Sequence, residues 1–193
     1  MKRLGFALTT LALVLMIVAP AMAKKDDKYI EKFEAVATSV QGGAGGMQIL
    51  RFGIMEWTSA EDREAMVKAF GDGDNDALYD WLDKQPQKAV IITAQGRPYE
   101  LMYAYEFKAD GKRKVILATN RPISGLESLV GGQRSLRYKL SLVIIEFEEG
   151  KKKGTGQMLL GAELSYKKDT NTLTLEGLAL QPIKFTKVTD KMK

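Results

Sequence analysis

The chain has 193 residues, of which 45% are hydrophobic and 27% are charged, and its formal net charge is +5. It contains neither histidine nor cysteine, which excludes histidine-dependent catalytic triads, cysteine nucleophiles, disulfide bonds and zinc sites built from these residues. The basic residues are spread along the sequence rather than clustered, so no nucleic-acid partner is predicted.

The first 23 residues have the organisation of a secretory signal peptide. Two basic residues are followed by an apolar run over residues 4–19 and by the sequence Pro20-Ala21-Met22-Ala23. The run is shorter than the roughly 20 residues that a membrane-spanning helix needs. We therefore predict an exported, periplasmic or extracellular protein that keeps no stable membrane span after cleavage. Removing these 23 of the 193 residues leaves a mature chain of 170 residues, 24–193, which suits one domain.

A strand pair and a glycine-rich loop are predicted next. The apolar positions of residues 33–40 and 47–57 favour strands, and residues 41–46 join them with four glycines. The loop lacks the Gly-Lys-Ser/Thr ending of a phosphate-binding loop, and a strand rather than a helix follows it. These segments therefore predict a β-hairpin without a phosphate site.

Residues 58–85 change to helical spacing. The sequence Thr58-Ser59-Ala60-Glu61 matches a capping box, in which Thr58 and Glu61 satisfy amide groups at a helix start. The first helix is predicted to end at Gly71, and a second to begin near Asp74 or Asn75 and to end before Pro86. The pattern predicts a helical hairpin inserted into a β-rich chain.

Acidic residues around the second helix start raise a calcium hypothesis. Positions 72, 74, 76, 80 and 83 have the ligand spacing of an EF-hand loop, but Ala77 stands where that loop needs glycine. The residues that follow have helical spacing, and carboxylates are favoured by the positive end of the helix dipole. A helix start is the favoured interpretation, and no metal site is predicted.

Strand periodicity returns after Pro86. Residues 88–94 predict one strand, and residues 99–108 predict a second that places five large side chains on one face, namely Tyr99, Leu101, Tyr103, Tyr105 and Phe107. Asp110-Gly111 is a hairpin-turn sequence, and residues 112–119 continue as the next strand.

The remaining strands are predicted over residues 136–148, 157–167 and 172–188. The far end of the first of these is apolar on both faces, which predicts that it is covered on both sides. A parity slip at Gly177 predicts a β-bulge. Pro182 interrupts pairing, and Ile183 with Phe185 add a short last strand.

These elements predict an α+β fold with a single β-rich domain. Tight turns join successive strands, which requires antiparallel pairing. We predict a strongly curved antiparallel sheet or a partly closed β-barrel of about seven or eight strands. The helical hairpin, over about residues 58–85, is expected to cap an end or one face of it.

Tyr103 and Tyr105 are candidate ligand-binding residues. Together with Tyr99 they place three phenols on one inward face, and each hydroxyl group needs a hydrogen-bond partner. One interpretation is a filled core with hydroxyl groups at its rim, and the other is a cavity for an apolar or aromatic ligand. Trp57 and Trp81 bracket the helical hairpin and are interpreted as core anchors.

A rigid corner after the strand 112–119 supplies a second candidate site. Pro122 disfavours helical backbone for Arg121 and fixes the direction in which its side chain leaves the strand, and Arg97 also precedes a proline. Guanidinium groups gathered at one rim suit a carboxylate or a phosphate. The candidate residues of this rim are Arg97, Asn120, Arg121, Arg134 and Arg137. In the alternative, Arg121 pairs with Glu127 and only stabilises the corner.

The sequence Ala118-Thr119-Asn120-Arg121-Pro122-Ile123, together with Gln181-Pro182, resembles an uncharacterised family of exported bacterial proteins that carry signal peptides. The resemblance covers most of the mature chain, from residue 33 to residue 188. It implies a fold and export from the cytoplasm. The family has no established activity, cofactor or catalytic residue, so the resemblance assigns no role to any residue of this chain.

Three functions remain open. The first is non-enzymatic binding of a small apolar or anionic ligand, or of another envelope protein, by the β-rich domain. The second is a hydrolase with paired carboxylates, either Glu100 with Glu106 or Glu146 with Glu148. The third is a structural protein that contacts other envelope components. The lack of histidine, cysteine and any catalytic motif favours the first, without a cofactor.

Overall fold

The computed structural model describes residues 28–38, 47–72, 74–123, 126, 138–170, 172–178 and 180–191. The predicted signal peptide, the glycine-rich loop 41–46, and Glu127, Arg134 and Arg137 lie outside this part of the chain. Within these residues, neither helix has the length and the apolar character that crossing a bilayer requires.

Ten strands and two helices form within the described residues. The strands are β1 (Glu31–Thr38), β2 (Gln48–Ile54), β3 (Ala89–Ile92), β4 (Pro98–Leu101), β5 (Tyr103–Ala109), β6 (Lys112–Thr119), β7 (Leu140–Glu148), β8 (Lys153–Lys167), β9 (Thr172–Leu178) and β10 (Ile183–Asp190). The helices are α1 (Ala60–Asp72) and α2 (Asn75–Asp83), which confirms the predicted helical hairpin.

All of the strand pairs are antiparallel and belong to one sheet, in the order β4-β3-β2-β1-β10-β8-β7-β6-β5. The two end strands, β4 and β5, are consecutive in the chain and are separated by Met102 alone. The amide of Met102 donates to the carbonyl of Ala118 at 2.9 Å, beside the β5–β6 ladder. The curled sheet is therefore a nearly closed barrel, which confirms the predicted antiparallel, barrel-like fold.

The predicted number of strands, seven or eight, is wrong because two segments were misread. Residues 99–108 do not form one strand with one aromatic face, since the kink at Met102 changes the side of the sheet on which side chains lie. Tyr99 and Leu101 pack in the barrel interior, whereas Tyr103 and Tyr105 pack on the outer face. The last strand, β10, is eight residues long rather than short, and it pairs with both β1 and β8.

The barrel interior is a filled hydrophobic core. Its largest side chains are four phenylalanines that are at most 2% exposed, Phe33, Phe52, Phe147 and Phe185. They pack in pairs, with ring centroids 5.6 Å apart for Phe33 and Phe147 and 5.7 Å apart for Phe52 and Phe185. Burying each ring stabilises the fold by about 1.5–3 kcal/mol, so the chain has a substantial core without disulfide bonds.

Arg113 closes one end of this interior. Its guanidinium group lies over the rings of Phe33 and Phe147, at 5.7 and 5.6 Å. It binds both carboxylate oxygens of Glu31, at 2.6 and 2.7 Å, and one oxygen of Glu106. Ion pairs thus link β1, β5 and β6 where the barrel would otherwise open to water.

A second hydrophobic core lies between the helices and the outer face of β5–β8. Met66 and Phe70 of α1 and Leu78 and Leu82 of α2 pack there against one row of strand residues, which comprises Tyr103, Ala118, Leu140, Leu142, Leu159 and Ala162. Alternate residues of β7 face the barrel interior, among them Val143, Ile145 and Phe147. The helices therefore cover a face of the sheet rather than an end, and they bury both faces of β7 from Leu140 to Val143. The prediction that the far end of this strand is covered on both sides is wrong, because Glu146 and Glu148 on its outer face are 33% and 67% exposed.

The long strand β8 extends past the barrel. Its first part pairs with β7 and β10, Ala162 pairs with both β7 and β9, and the last part, from Glu163 to Lys167, pairs with β9 alone among the described strands. The register of β9 shifts between Leu175 and Gly177, which confirms the predicted bulge. The β8–β9 hairpin therefore lies against the helices and forms one wall of the site described below.

The helix starts differ in detail from the predicted capping pattern. The hydroxyl group of Ser59, not of Thr58, accepts the amide of Asp62 at 3.0 Å. Thr58 is buried instead, and its amide and hydroxyl groups bond to the backbone of Ala104 at 2.6 and 3.0 Å. Thr58, which was expected to cap α1, therefore forms a tertiary contact with Ala104 instead, and this contact fixes the start of α1 to β5. The expected start of α2 is confirmed, because Asp74 caps it by accepting the amides of Asp76 and Ala77.

Candidate functional site

The corner at Asn120 and Arg121 joins three elements of the fold. The side-chain amide of Asn120 donates to the carbonyl of Tyr79 at 3.1 Å and to the Asp83 carboxylate at 2.8 Å, which ties β6 to α2. Arg121 forms an ion pair with Glu100 of β4. The partner expected for Arg121, Glu127, lies outside the described residues. Both corner side chains are therefore engaged in holding the fold together.

The predicted cluster of arginines is not assembled by the described residues. Arg97 is exposed in the turn between β3 and β4, and Arg121 is exposed and bound to Glu100. Arg134 and Arg137 lie outside the described residues. An anion site at this rim therefore stays a prediction.

Tyr103 and Tyr105 belong to a row of rings under the helices. Ring centroids are 6.5 Å apart for Trp81 and Tyr103, 6.2 Å for Tyr103 and Tyr105, and 5.9 Å for Tyr105 and Phe107. Burial raises the pKa of Tyr103 to about 12, while the positive charge of Arg63 acts in the opposite direction. This arrangement favours the interpretation of a filled core over a wide ligand cavity.

An open groove of about 450 Å³ lies beside α1, at the end of β8. Its lining residues are Arg63, Glu64, Val67, Lys68, Gly71, Tyr166 and Lys168. The five residues from α1 recur three or four positions apart, in two adjacent rows, and so lie on one side of the helix. Tyr166 and Lys168 come from the β8–β9 hairpin, which faces that side.

Two of the cations in the groove have no carboxylate partner among the described residues. Neither Arg63 nor Lys68 forms an ion pair with a carboxylate in the part of the chain that the structure describes. Other cations of the same domain are paired, for example Lys88 with Glu56 at 2.6 Å and Lys108 with Glu149 at 2.8 Å. The groove therefore has positive charge available for a ligand.

Arg63 is held in a defined position beneath this groove. Its guanidinium group lies 5.1 Å from the centroid of the Tyr105 ring, and its positive charge lowers the pKa of the neighbouring Tyr103 against the effect of burial. A cation stacked on an aromatic face loses little side-chain freedom when it binds an anion. Tyr103 and Tyr105, which were predicted from the sequence to bind a ligand, thus position Arg63.

Tyr166 forms an aromatic wall of the groove. Its ring lies 6.4 Å from that of Phe70, and it passes so close to Gly71 that a Cβ atom at this position would be 2.8 Å from its Cε1 atom. Glycine at position 71 is therefore what lets the ring lie against the helix. Lys168 is on the same side, with its Cε atom 3.7 Å from the same Cβ position on residue 71.

The chemistry of the groove suits binding of an anion. Arg63 and Lys68 supply N–H donors that form charge-assisted hydrogen bonds with a carboxylate or a phosphate. Tyr166 supplies an apolar face with a polar tip. Elsewhere in the described residues, no three acidic side chains are arranged to hold a metal ion.

The carboxylates proposed for a hydrolase are all engaged with cations. Glu100 binds Arg121, and Glu106 binds Arg113. Glu146 accepts from Lys112 at 3.3 Å and lies 3.7 Å from Lys114, and Glu148 lies 3.7 Å from Lys112. Each of these carboxylates therefore takes part in an ion pair of the sheet, with Glu106 at the end of the barrel interior that Arg113 closes.

The sequence interpretation did not select Arg63, Lys68, Tyr166 or Lys168. The helical spacing of positions 63, 64, 67, 68 and 71 was a usable signal, since it places two cations on one side of α1. The other wall comes from residues about 100 positions later, and no local pattern places it there. Comparisons of the chain with known protein families, with curated proteins and with solved structures found no match.

Proposed function

We propose that the mature chain is an exported, non-catalytic binding protein that holds a small anionic ligand in the groove beside α1. The observation that carries this proposal is the position of Arg63 and Lys68, two cations without a carboxylate partner among the described residues, in an open groove of about 450 Å³.

The form of the groove supports a small ligand. Its volume of about 450 Å³ lies within the range of about 300–1,000 Å³ typical of small-molecule sites. The groove combines a guanidinium group that lies over the Tyr105 ring, an ammonium group and an aromatic wall. These features suit a single acidic group attached to an apolar or aromatic body.

A titration with defined probes tests the proposal. We expect the mature chain to bind phenyl phosphate saturably at low ionic strength, more tightly than inorganic phosphate, because Tyr166 adds contact with the ring. Phenol without the anionic group is expected to bind more weakly than either.

A pair of charge reversals locates the site. Lys68→Glu removes one attraction and adds one repulsion, so we expect roughly a tenfold or larger loss of affinity for phenyl phosphate. Lys187→Glu is the matched control, because Lys187 is an exposed lysine of β10 and its reversal changes the net charge equally. Equal losses in both variants, or no saturable binding by the unmodified chain, would refute an anion site in this groove.

A further inference from the structure

A small apolar crevice lies between the helical hairpin and the outer face of the sheet. It has a volume of about 80 Å³. All of its lining side chains except Tyr103 are hydrocarbon or thioether, and those used below are Phe70 and Leu173. Because an apolar cavity of this kind holds hydrocarbon rather than water, the crevice is a site for part of an apolar group.

The crevice and the cationic groove share a wall. Leu173 lines the crevice, and it lies directly opposite Tyr166 of the groove in the β8–β9 ladder. Directly opposed residues of an antiparallel pair have Cβ atoms about 4.5–5.5 Å apart. Phe70, which also lines the crevice, is in ring contact with Tyr166 at 6.4 Å. A short chain is therefore long enough to connect the two sites.

Exposed leucines continue the apolar surface beyond the crevice. Leu173 and Leu175 are 42% and 43% exposed, and they lie on β9, which pairs only with β8 among the described strands. Both lie opposite residues of β8 that pack in the second core, Tyr166 and Leu164. An alkyl group that runs along this strip removes both leucines from water.

We propose that the ligand of the groove is a dispersed, single-chain amphiphile with an acidic head group. Arg63 and Lys68 bind the head group, and the alkyl chain passes Tyr166 and Leu173 into the crevice. This inference rests on the proposed function of the groove and names the chemical class of its ligand. It commits to single molecules in solution rather than to a membrane surface, because the crevice holds one chain end between helices and sheet.

The volume of the crevice sets how binding depends on chain length. A volume of 80 Å³ has room for roughly three groups the size of a water molecule. Burial of one methylene raises affinity up to about fourfold. Affinity for monoalkyl phosphates is thus expected to rise over the first few methylenes and then to level off.

The test is a titration of the mature chain with methyl, butyl, hexyl and octyl phosphate, each kept below the concentration at which it forms micelles. We expect methyl phosphate to bind and the longer chains to bind more tightly, with Lys68→Glu weakening every member. Leu173→Gln is expected to lower the ratio of the affinity for octyl phosphate to the affinity for methyl phosphate, because it places an amide group where the alkyl chain passes. Thr174→Gln, on the other face of the same strand, is the control and is expected to keep the gain.

The outcomes separate this inference from the proposed function. If methyl phosphate binds but chain length has no effect, the amphiphile is refuted and the anion site stands. If no alkyl phosphate binds in a manner that depends on Lys68, both are refuted. Vesicles of phosphatidylglycerol form the last arm, and binding to vesicles without saturable binding of dispersed octyl phosphate would show a membrane surface as the target and refute the amphiphile.

Discussion

Asn75 completes the edge of strand β8 with a single side chain. Its Nδ2 atom donates to the carbonyl of Leu164 at 2.9 Å, and its Oδ1 atom accepts the Leu164 amide at 3.2 Å. The amide group thus takes the place of a neighbouring strand at the first helical position of α2. This contact sets the distance between the helical hairpin and the β8–β9 hairpin, which form the two walls of the groove.

Asn75→Ala is predicted to destabilise the domain by about 2 kcal/mol, because it leaves one partly buried N–H and one carbonyl group without a partner. Asn75→Asp keeps the acceptor and loses the donor, so its stability should lie between that of the unmodified chain and that of Asn75→Ala. Urea unfolding of the three chains measures the order. If Asn75→Ala is as stable as the unmodified chain, the side-chain amide is not what holds β8 to α2.

The corner residues Asn120 and Arg121 are predicted to differ in their effect on stability. Asn120→Ala removes two hydrogen bonds to α2, and we expect a loss of about 1–2 kcal/mol. Arg121→Ala removes an ion pair whose side chains are 46% and 45% exposed, and we expect a loss below about 1 kcal/mol. Thermal unfolding of both variants decides the order, and a larger loss for Arg121→Ala would contradict the contacts described.

Gly71→Ala is predicted to destabilise the domain by about 1 kcal/mol or more. A Cβ atom would lie 2.8 Å from the Tyr166 ring, and such a clash outweighs the gain of replacing a helical glycine with alanine. Tyr166→Leu should relieve the clash, so the double variant Gly71→Ala/Tyr166→Leu should lose less than the sum of the two single losses. Additive losses, measured by urea unfolding, would show that the two residues do not touch.

The carboxylate of Glu31, which binds Arg113, predicts an unusual dependence of folding stability on pH. The pKa of Glu31 is raised above its ordinary value of 4.5, chiefly because burial disfavours the carboxylate, and Asp190 and Glu106 add to this while Arg113 opposes it. The folded state therefore holds the Glu31 proton more tightly than the unfolded state. This contribution to stability is present at low pH and is lost as the pH rises through the folded pKa.

We accordingly expect the stability of the unmodified chain, relative to Glu31→Gln, to increase as the pH falls through the range just above 4.5. Glu149→Gln provides the opposite case, since a hydrogen bond from Lys108 lowers the pKa of Glu149. Relative to that variant, the stability of the unmodified chain should decrease as the pH falls. The change for Glu31 lies above pH 4.5 and that for Glu149 below it, so unfolding free energies measured on both sides of pH 4.5 test both signs. The same sign in both comparisons would contradict the account of Glu31.

Much of the fold was predictable because turns and caps are local. Asp110 and Gly111 have φ values of 55° and 69° in the two-residue turn between β5 and β6, the conformation that this residue pair favours. The bulge at Gly177 followed from its parity slip. The kink at Met102 was not predictable from alternation, because the apolar alternation runs unbroken from residue 99 to residue 107 although the face to which these side chains belong changes at Met102.

The site was less predictable than the fold. The sequence nominated Tyr103, Tyr105 and Arg121 from local patterns, and the structure uses the tyrosines to position Arg63 and uses Arg121 to bind Glu100. The groove depends instead on the length of β8, which carries Tyr166 past the barrel and against α1. Contacts between residues so far apart in the chain leave no signal in the local spacing of either segment.

The central claim is that the groove beside α1 binds an anion. An NMR titration of the isotope-labelled mature chain with phenyl phosphate at low ionic strength tests it most directly, because every backbone amide reports separately. We predict saturable shifts concentrated at residues 63–71 and 166–168, which weaken as salt is added, since salt screens surface charge. Shifts that are absent, that fail to saturate, or that concentrate elsewhere, such as the 108–113 turn, would contradict the claim.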